Sequence, residues 1–156
     1  VQIIRSGNGI SHAEEIDKES EIFQIWFDPD LSNSLKKEAT YDDYSSKEFK
    51  VFNSDNKLKK IIKGDGSPMK MDSEGIFINE YLFKSGNHLL EINEDFIHSY
   101  FILNGELEYE KNILQKGTFF TVKKQNNFEF QSLNKARVFE IISPLNPKYK
   151  TYFMSN

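Results

Sequence analysis

Short runs of β-branched and aromatic residues, recurring at near-regular spacing with turn residues between them, leave this chain few architectures. They occupy residues 49–53, 58–63, 76–83, 88–92, 99–103, 106–109, 118–123, 128–132 and 137–142. Hardly any segment shows helical periodicity, so the pattern predicts an all-β sandwich or jelly roll. Asn104-Gly105, between two such runs, is the strongest hairpin signal in the chain. Gly64-Asp65-Gly66, Ser85-Gly86-Asn87 and Gln125-Asn126-Asn127 mark further turns. Phe83, Tyr100, Ile102, Phe120, Phe130, Phe139 and Ile141 are expected in the core, each lying on an apolar strand face.

The N-terminal part reads differently. Residues 1–5 look like the end of a strand, and Ser6-Gly7-Asn8-Gly9 like a turn needing positive φ. Residues 12–20 are polar and loop-like. Residues 21–27 are expected to form a strand with Phe23, Ile25 and Phe27 on one face and Ile22 and Trp26 on the other. A strand apolar on both faces is usually buried between sheets. Asp28-Pro29-Asp30 ends it, and residues 31–46 read as a linker.

Of the 156 residues, 38% are hydrophobic and 14% aromatic, enough for a core. A net charge of -4 argues against a protein that coats nucleic acid. No apolar run approaches the roughly 20 residues that cross a bilayer as a helix. The lack of cysteine removes disulfides and thiolate ligands and fits a reducing compartment, so a cytoplasmic location is expected. Strand-like sequence begins at once, without an initiator Met, which suggests a true start upstream; a trimmed Met or a cloning choice is the alternative.

Ile4-Arg5-Ser6-Gly7-Asn8-Gly9-Ile10-Ser11-His12-Ala13-Glu14, followed by Phe23-Gln24-Ile25-Trp26, resembles the pirin family of bicupins. In that family a strand, a Gly-x-Gly turn, His-x-Glu and a Trp-containing strand follow in order. A linker with Pro and Tyr comes next; Tyr41 and Tyr44 stand here in such a linker, without the Pro. Lys60-Ile61-Ile62-Lys63-Gly64-Asp65-Gly66 resembles the opening of a second cupin lobe. Ser99-Tyr100-Phe101-Ile102-Leu103-Asn104-Gly105-Glu106-Leu107 resembles the strand, Gly turn and strand of cupins, and Lys116-Gly117-Thr118-Phe119 their next strand entry. The tail Tyr152-Phe153-Met154-Ser155-Asn156 resembles the closing segment of some pirins. The resemblance implies a cupin jelly roll at residues 47–156, the C-terminal lobe of a bicupin. Residues 1–30 would be a remnant of the first lobe.

Residues i and i+2 of an extended strand point the same way, roughly 7 Å apart, so His12 and Glu14 can meet one ion. Taken alone, an His-x-Glu beside a Gly turn also reads as a solvated loop. The resemblance implies three His and one Glu around iron or a similar divalent metal, with His12 and Glu14 as the last two ligands. The first two, an His-x-His pair, would belong to the earlier lobe and are absent from this chain, so tight metal binding is not expected here. His98 matches a cupin ligand position but lacks neighbouring ligands, and reads as a half-buried His with a backbone partner. His88 reads as a polar residue beside a turn. Lys57, Lys59, Lys60 and Lys63 read as a solvated strand or short turn.

Three functions remain open at this level. The resemblance implies a flavonol dioxygenase of the quercetinase kind, with a small aromatic substrate and Glu14 as both ligand and catalytic base. The second is a metal-dependent regulatory or protein-binding module, and the third an inert fragment that keeps an interaction surface. Unpaired strands within residues 1–30 further suggest a homodimer through that segment.

Overall fold

A computed structural model describes residues 1–152; Phe153 to Asn156 of the tail lie outside the described residues. The chain divides into two compact units. The first comprises residues 1–44, 71–74 and 147–156, and the second residues 45–70 and 75–146. Among the described residues no helix is long and apolar enough to cross a membrane.

The first unit holds an antiparallel ribbon of β1 (Gln2–Arg5) and β2 (Thr40–Asp43), in register from Gln2 opposite Asp43 to Arg5 opposite Thr40. The Arg5 guanidinium reaches Asp42 at 2.6 Å. The turn after β1 has the expected positive φ at Gly7 (51°) and Gly9 (131°). Any Cβ at Gly7 would lie 2.5 Å from the Lys37 carbonyl oxygen, which accepts instead from the Asn8 N–H at 2.9 Å. The short helix α1 (Leu31–Ser34) is capped by Asp30, whose Oδ1 accepts from the Ser32 N–H at 3.1 Å.

Residues 21–27 form no strand, contrary to the sequence expectation, and Trp26 is 87% exposed. Their β-propensity has no ladder partner among the described residues, and propensity alone does not hold a strand. Asp28, which follows, is well anchored: its carbonyl accepts from the Tyr149 hydroxyl at 2.8 Å and its carboxylate from the Tyr152 N–H at 2.8 Å. β2 falls within residues 31–46, where no strand was expected, and exists by pairing with β1.

The second unit is a two-sheet jelly roll. Its strands are β3 (Lys50–Asn53), β4 (Lys57–Lys63), β5 (Phe77–Phe83), β6 (Gly86–Glu91), β7 (Phe96–Asn104), β8 (Glu106–Tyr109), β9 (Asn112–Gln115), β10 (Phe119–Val122), β11 (Asn127–Ser132) and β12 (Ala136–Pro144). One sheet runs β10-β7-β12-β5-β4-β3 and the other β6-β11-β8-β9. Period-two alternation drives the packing: in β11 Phe128, Phe130 and Ser132 are buried while Asn127, Glu129 and Gln131 are exposed. Between the sheets Phe128 touches Tyr100, Tyr109, Phe120 and Phe130, with ring centroids 5.0–5.6 Å apart. Phe83 meets Phe130 edge-on at 5.0 Å.

Two expectations are corrected here. Asn104-Gly105 is not a hairpin: β7 and β8 belong to different sheets, and the glycine makes a corner between them. Its φ is 85°, and a Cβ there would stand 2.6 Å from both the Lys135 carbonyl oxygen and Ala136 Cα. Backbone proximity across the corner, not a turn type, therefore demands glycine. The second correction is the phase of β12. Phe83, Tyr100, Ile102 and Phe130 are buried as expected, but Phe120, Phe139 and Ile141 are only partly so. In β12 it is Ala136, Val138 and Glu140 that point inward, so a carboxylate enters the barrel where Phe139 was expected.

Candidate functional site

Sheet register builds a charged cluster in the barrel interior. On β12, Glu140 pairs directly with Tyr100 of β7 on one side and Asn79 of β5 on the other. Directly opposed residues share a face, and so do their i±2 neighbours. That brings His98 and Tyr81 to the same carboxylate from the diagonal positions. Glu140 Oε1 accepts from His98 Nδ1 at 2.9 Å and from the Tyr100 hydroxyl at 2.7 Å. Oε2 accepts from Asn79 Nδ2 at 2.7 Å and from the Tyr81 hydroxyl at 3.1 Å. His98 Nε2 in turn accepts from the Asn93 N–H at 3.3 Å. That acceptor role leaves the proton on Nδ1, so the ring is a neutral donor to the carboxylate.

The charge is held mainly by hydrogen-bond donors. Burial works to raise the Glu140 pKa, but the hydrogen bonds from His98, Asn79 and Tyr100 outweigh it and hold the carboxyl below its ordinary range. Burial first, and then the neighbouring carboxylate, push Tyr81 and Tyr100 far above the ordinary phenol value. The cluster is a closed polar network in an apolar barrel, with each carboxylate oxygen carrying two donors.

His88 is also inside, not at a turn surface as expected. It lies on β6 between Phe83 and Phe130, with centroids 4.7 and 5.4 Å away. Its Nε2 donates to the Lys84 carbonyl at 2.8 Å, while Nδ1 is buried without a hydrogen-bond partner. A cleft of roughly 360 Å³ opens at Tyr109, Leu114, Phe120, Val122 and Phe128. Phe120 stacks on Tyr100 and Phe128 lies tilted against it, and His98 and Glu140 are not among the residues lining the cleft.

His12 and Glu14 lie in the first unit, on irregular backbone rather than on a strand. Their side chains nevertheless approach, with His12 Nε2 3.8 Å from Glu14 Oε1, and both are open to solvent. No group of three His, Cys, Asp or Glu side chains among the described residues is disposed to hold a metal ion. His12 and Glu14 supply two donors. In the barrel, the Glu140 oxygens and both His98 nitrogens are already engaged by protein groups. The residues present therefore do not by themselves fit a bound metal.

The sequence matches no family model and no curated protein. Solved structures do resemble it. GK1651 from Geobacillus kaustophilus superimposes with a TM-score of 0.59 at 16% identity, covering 74% of this chain and 51% of that one. Two structures of quercetin 2,3-dioxygenase from Acinetobacter baumannii give TM-scores of 0.61 and 0.63 at 15% identity. They cover 74% of this chain and 43% and 39% of theirs. This chain thus spans about half, or less, of the length of these structures. The likeness carries the fold, an all-β cupin jelly roll.

Proposed function

We propose that this chain is the second-lobe portion of a pirin-like bicupin, with residues 1–30 a remnant of the first lobe and residues 47–156 a lobe without metal. In this reading the intact protein is metal-dependent, of the iron type, and His12 and Glu14 are two of its ligands. The observation that carries it is the contrast between the two acid–imidazole pairs. Glu140 and His98 are closed off and saturated, so they serve the fold. His12 and Glu14 stand 3.8 Å apart and accessible, so both can be recruited by further ligands. Only with further ligands from the intact protein would a divalent metal be held there, and it would then supply Lewis-acid and dioxygen chemistry. In this reading Glu14 would also accept the substrate proton. The substrate class is a small flavonol, by analogy with the activity named for the similar Acinetobacter structures.

The test uses the protein extended upstream and loaded with iron, with metal content measured by elemental analysis and oxygen uptake measured with quercetin. Stoichiometric metal, lost in His12→Ala and in Glu14→Gln, together with quercetin-dependent uptake, supports the proposal. Metal retained in both variants overturns the ligand assignment. Metal bound without oxygen uptake favours a regulatory or protein-binding module instead.

A further inference from the structure

The second unit carries a row of lysines that neither the Glu140 network nor the proposed function uses. Register places Lys57 opposite Phe83 and Lys59 opposite Tyr81, so these lysines share a face with the aromatic side chains of β5. β3 adds Lys50 and Phe52 to that face, opposite Ile61 and Lys59. Lys50 Nζ stands 4.7 Å from the Phe52 centroid, Lys59 Nζ 5.7 Å from that of Tyr81, and Lys63 Nζ 5.8 Å from that of Phe77. Lys57 Nζ donates to the Leu89 carbonyl at 3.3 Å. Among the described residues no carboxylate comes within ion-pair distance of Lys50, Lys57 or Lys59, and Lys63 feels the opposing fields of Asp65 and Lys70. In a chain of net charge -4 this is a local inversion of sign.

Beside this row lies an open sheet edge. β3 ends the six-stranded sheet, and all of its residues are exposed. The Ser54 N–H donates to the Lys57 carbonyl, making that pair hydrogen-bonded. Antiparallel alternation then makes Phe52–Lys59 and Lys50–Ile61 the other hydrogen-bonded pairs. The N–H and C=O groups of Val51 and Asn53 consequently point away from the sheet.

We propose that the β3 edge is a docking strand for an extended acidic segment of another protein, carrying carboxylates at alternate positions. The outward groups of Val51 and Asn53 pair with its backbone, and Lys50 and Lys59 receive its carboxylates. Alternate residues of a strand point to one side, so carboxylates two residues apart can face the side of the sheet that carries Lys50 and Lys59. Charge chooses this occupant over two others. A second copy paired edge to edge would bring two lysine rows together, which costs free energy and selects against self-pairing. Single-stranded nucleic acid needs bare ring faces for its bases. Here the Phe52 ring already has Lys50 over it, and Tyr81 is buried.

The experiment measures fluorescence anisotropy of a labelled alternating glutamate–valine octapeptide titrated with the whole chain. The comparison probes are a lysine–valine octapeptide, a block peptide of four glutamates then four valines, and oligothymidylate. The alternating acidic peptide should bind best, and about tenfold more weakly when salt is raised from roughly 50 to 300 mM. Val51→Pro removes an outward donor and no ladder bond, so it should fold and abolish binding. Asn53→Pro tests the same edge if circular dichroism shows the first variant unfolded. Lys50→Glu combined with Lys59→Glu should reverse the preference toward the lysine–valine peptide. The proposal is overturned by absence of binding, by indifference to both proline variants, or by equal binding of the block peptide. Preference for oligothymidylate, or a dimer in light scattering that Val51→Pro dissolves, would equally overturn it.

Discussion

His98 and Glu140 meet at 2.9 Å although the ladder pairs His98 with Ile142, not with Glu140. The contact is diagonal, and the direct partner of Glu140 on that strand is Tyr100. The same pattern repeats on β5, where Asn79 is direct and Tyr81 diagonal. One inward carboxylate on a central strand therefore ties three strands together through both neighbours. This makes Glu140 a determinant of register as well as of stability, because a one-residue slip of β12 would turn it outward and strand four donors.

Glu140→Ala should destabilise the second unit by roughly 3–5 kcal/mol, since it leaves several buried donors without an acceptor. Tyr81→Phe removes one donor to a charged acceptor and should cost less, about 1.5–3 kcal/mol. Urea unfolding of each variant checks the order. Near-equal losses would mean that the network is not centred on the carboxylate.

Gly105→Ala should be far worse than the same substitution at a positive-φ glycine with open space around it. Its Cβ would meet Lys135 and Ala136 backbone at 2.6 Å, whereas at Gly86 and Gly117 nothing lies within 4 Å. Gly117→Ala, at φ 88°, should cost little beyond the left-handed penalty of about 1–2 kcal/mol. At Gly105 the two strands must separate, and the melting temperature should fall by well over twice as much.

His12→Ala should leave the thermal stability of this chain nearly unchanged, because both members of the pair are solvent-exposed and their contact is long. Trp26 fluorescence offers a parallel check: at 87% exposure the dilute chain should emit as a water-exposed indole. A blue shift on concentration, with light scattering giving twice 18.3 kDa, would report the homodimer expected through residues 1–30.

The strands of the second unit were legible because apolar alternation and turn residues there agree. β9 escaped notice because Asn112-Ile113-Leu114-Gln115 is short and largely exposed, and its hairpin is turned by Glu110 and Lys111 at φ 48° and 67°. These are residues that seldom signal a left-handed turn. Residues 21–27 misled for the opposite reason: strong propensity, but no strand pairing among the described residues to realise it. The Glu140 cluster was hidden because its members are scattered over 61 positions and meet only through register. Phe139 and Ile141 advertise an apolar face that is not the buried one. The signal that pointed toward the cluster was His98 at a cupin ligand position, but its carboxylate partner lies 42 residues on.

Acid and alkali should both weaken the barrel, through different members of this cluster. Glu140 is held below its ordinary value of 4.5 by its hydrogen bonds, against the raising effect of burial. A carboxylate with a depressed folded pKa contributes stability that is present above the unfolded value and is lost as pH falls through the folded one. The denaturation midpoint should therefore hold on the neutral side of that value and drop progressively on the acid side. Tyr81 and Tyr100 behave oppositely, because burial and the adjacent carboxylate raise them above the ordinary 10.0. Their neutral forms contribute stability that is full below the unfolded value and is lost as pH rises above it, where the unfolded chain ionises and the folded one resists. A plateau between these limits is the expected profile. Tyr81→Phe should flatten the alkaline limb, since a phenylalanine has no proton to lose on unfolding. Glu140→Gln should flatten the acid limb and lower the plateau, because an amide cannot accept all four donors. An acid limb unchanged in Glu140→Gln would assign acid sensitivity to other carboxylates and remove Glu140 from the pH account.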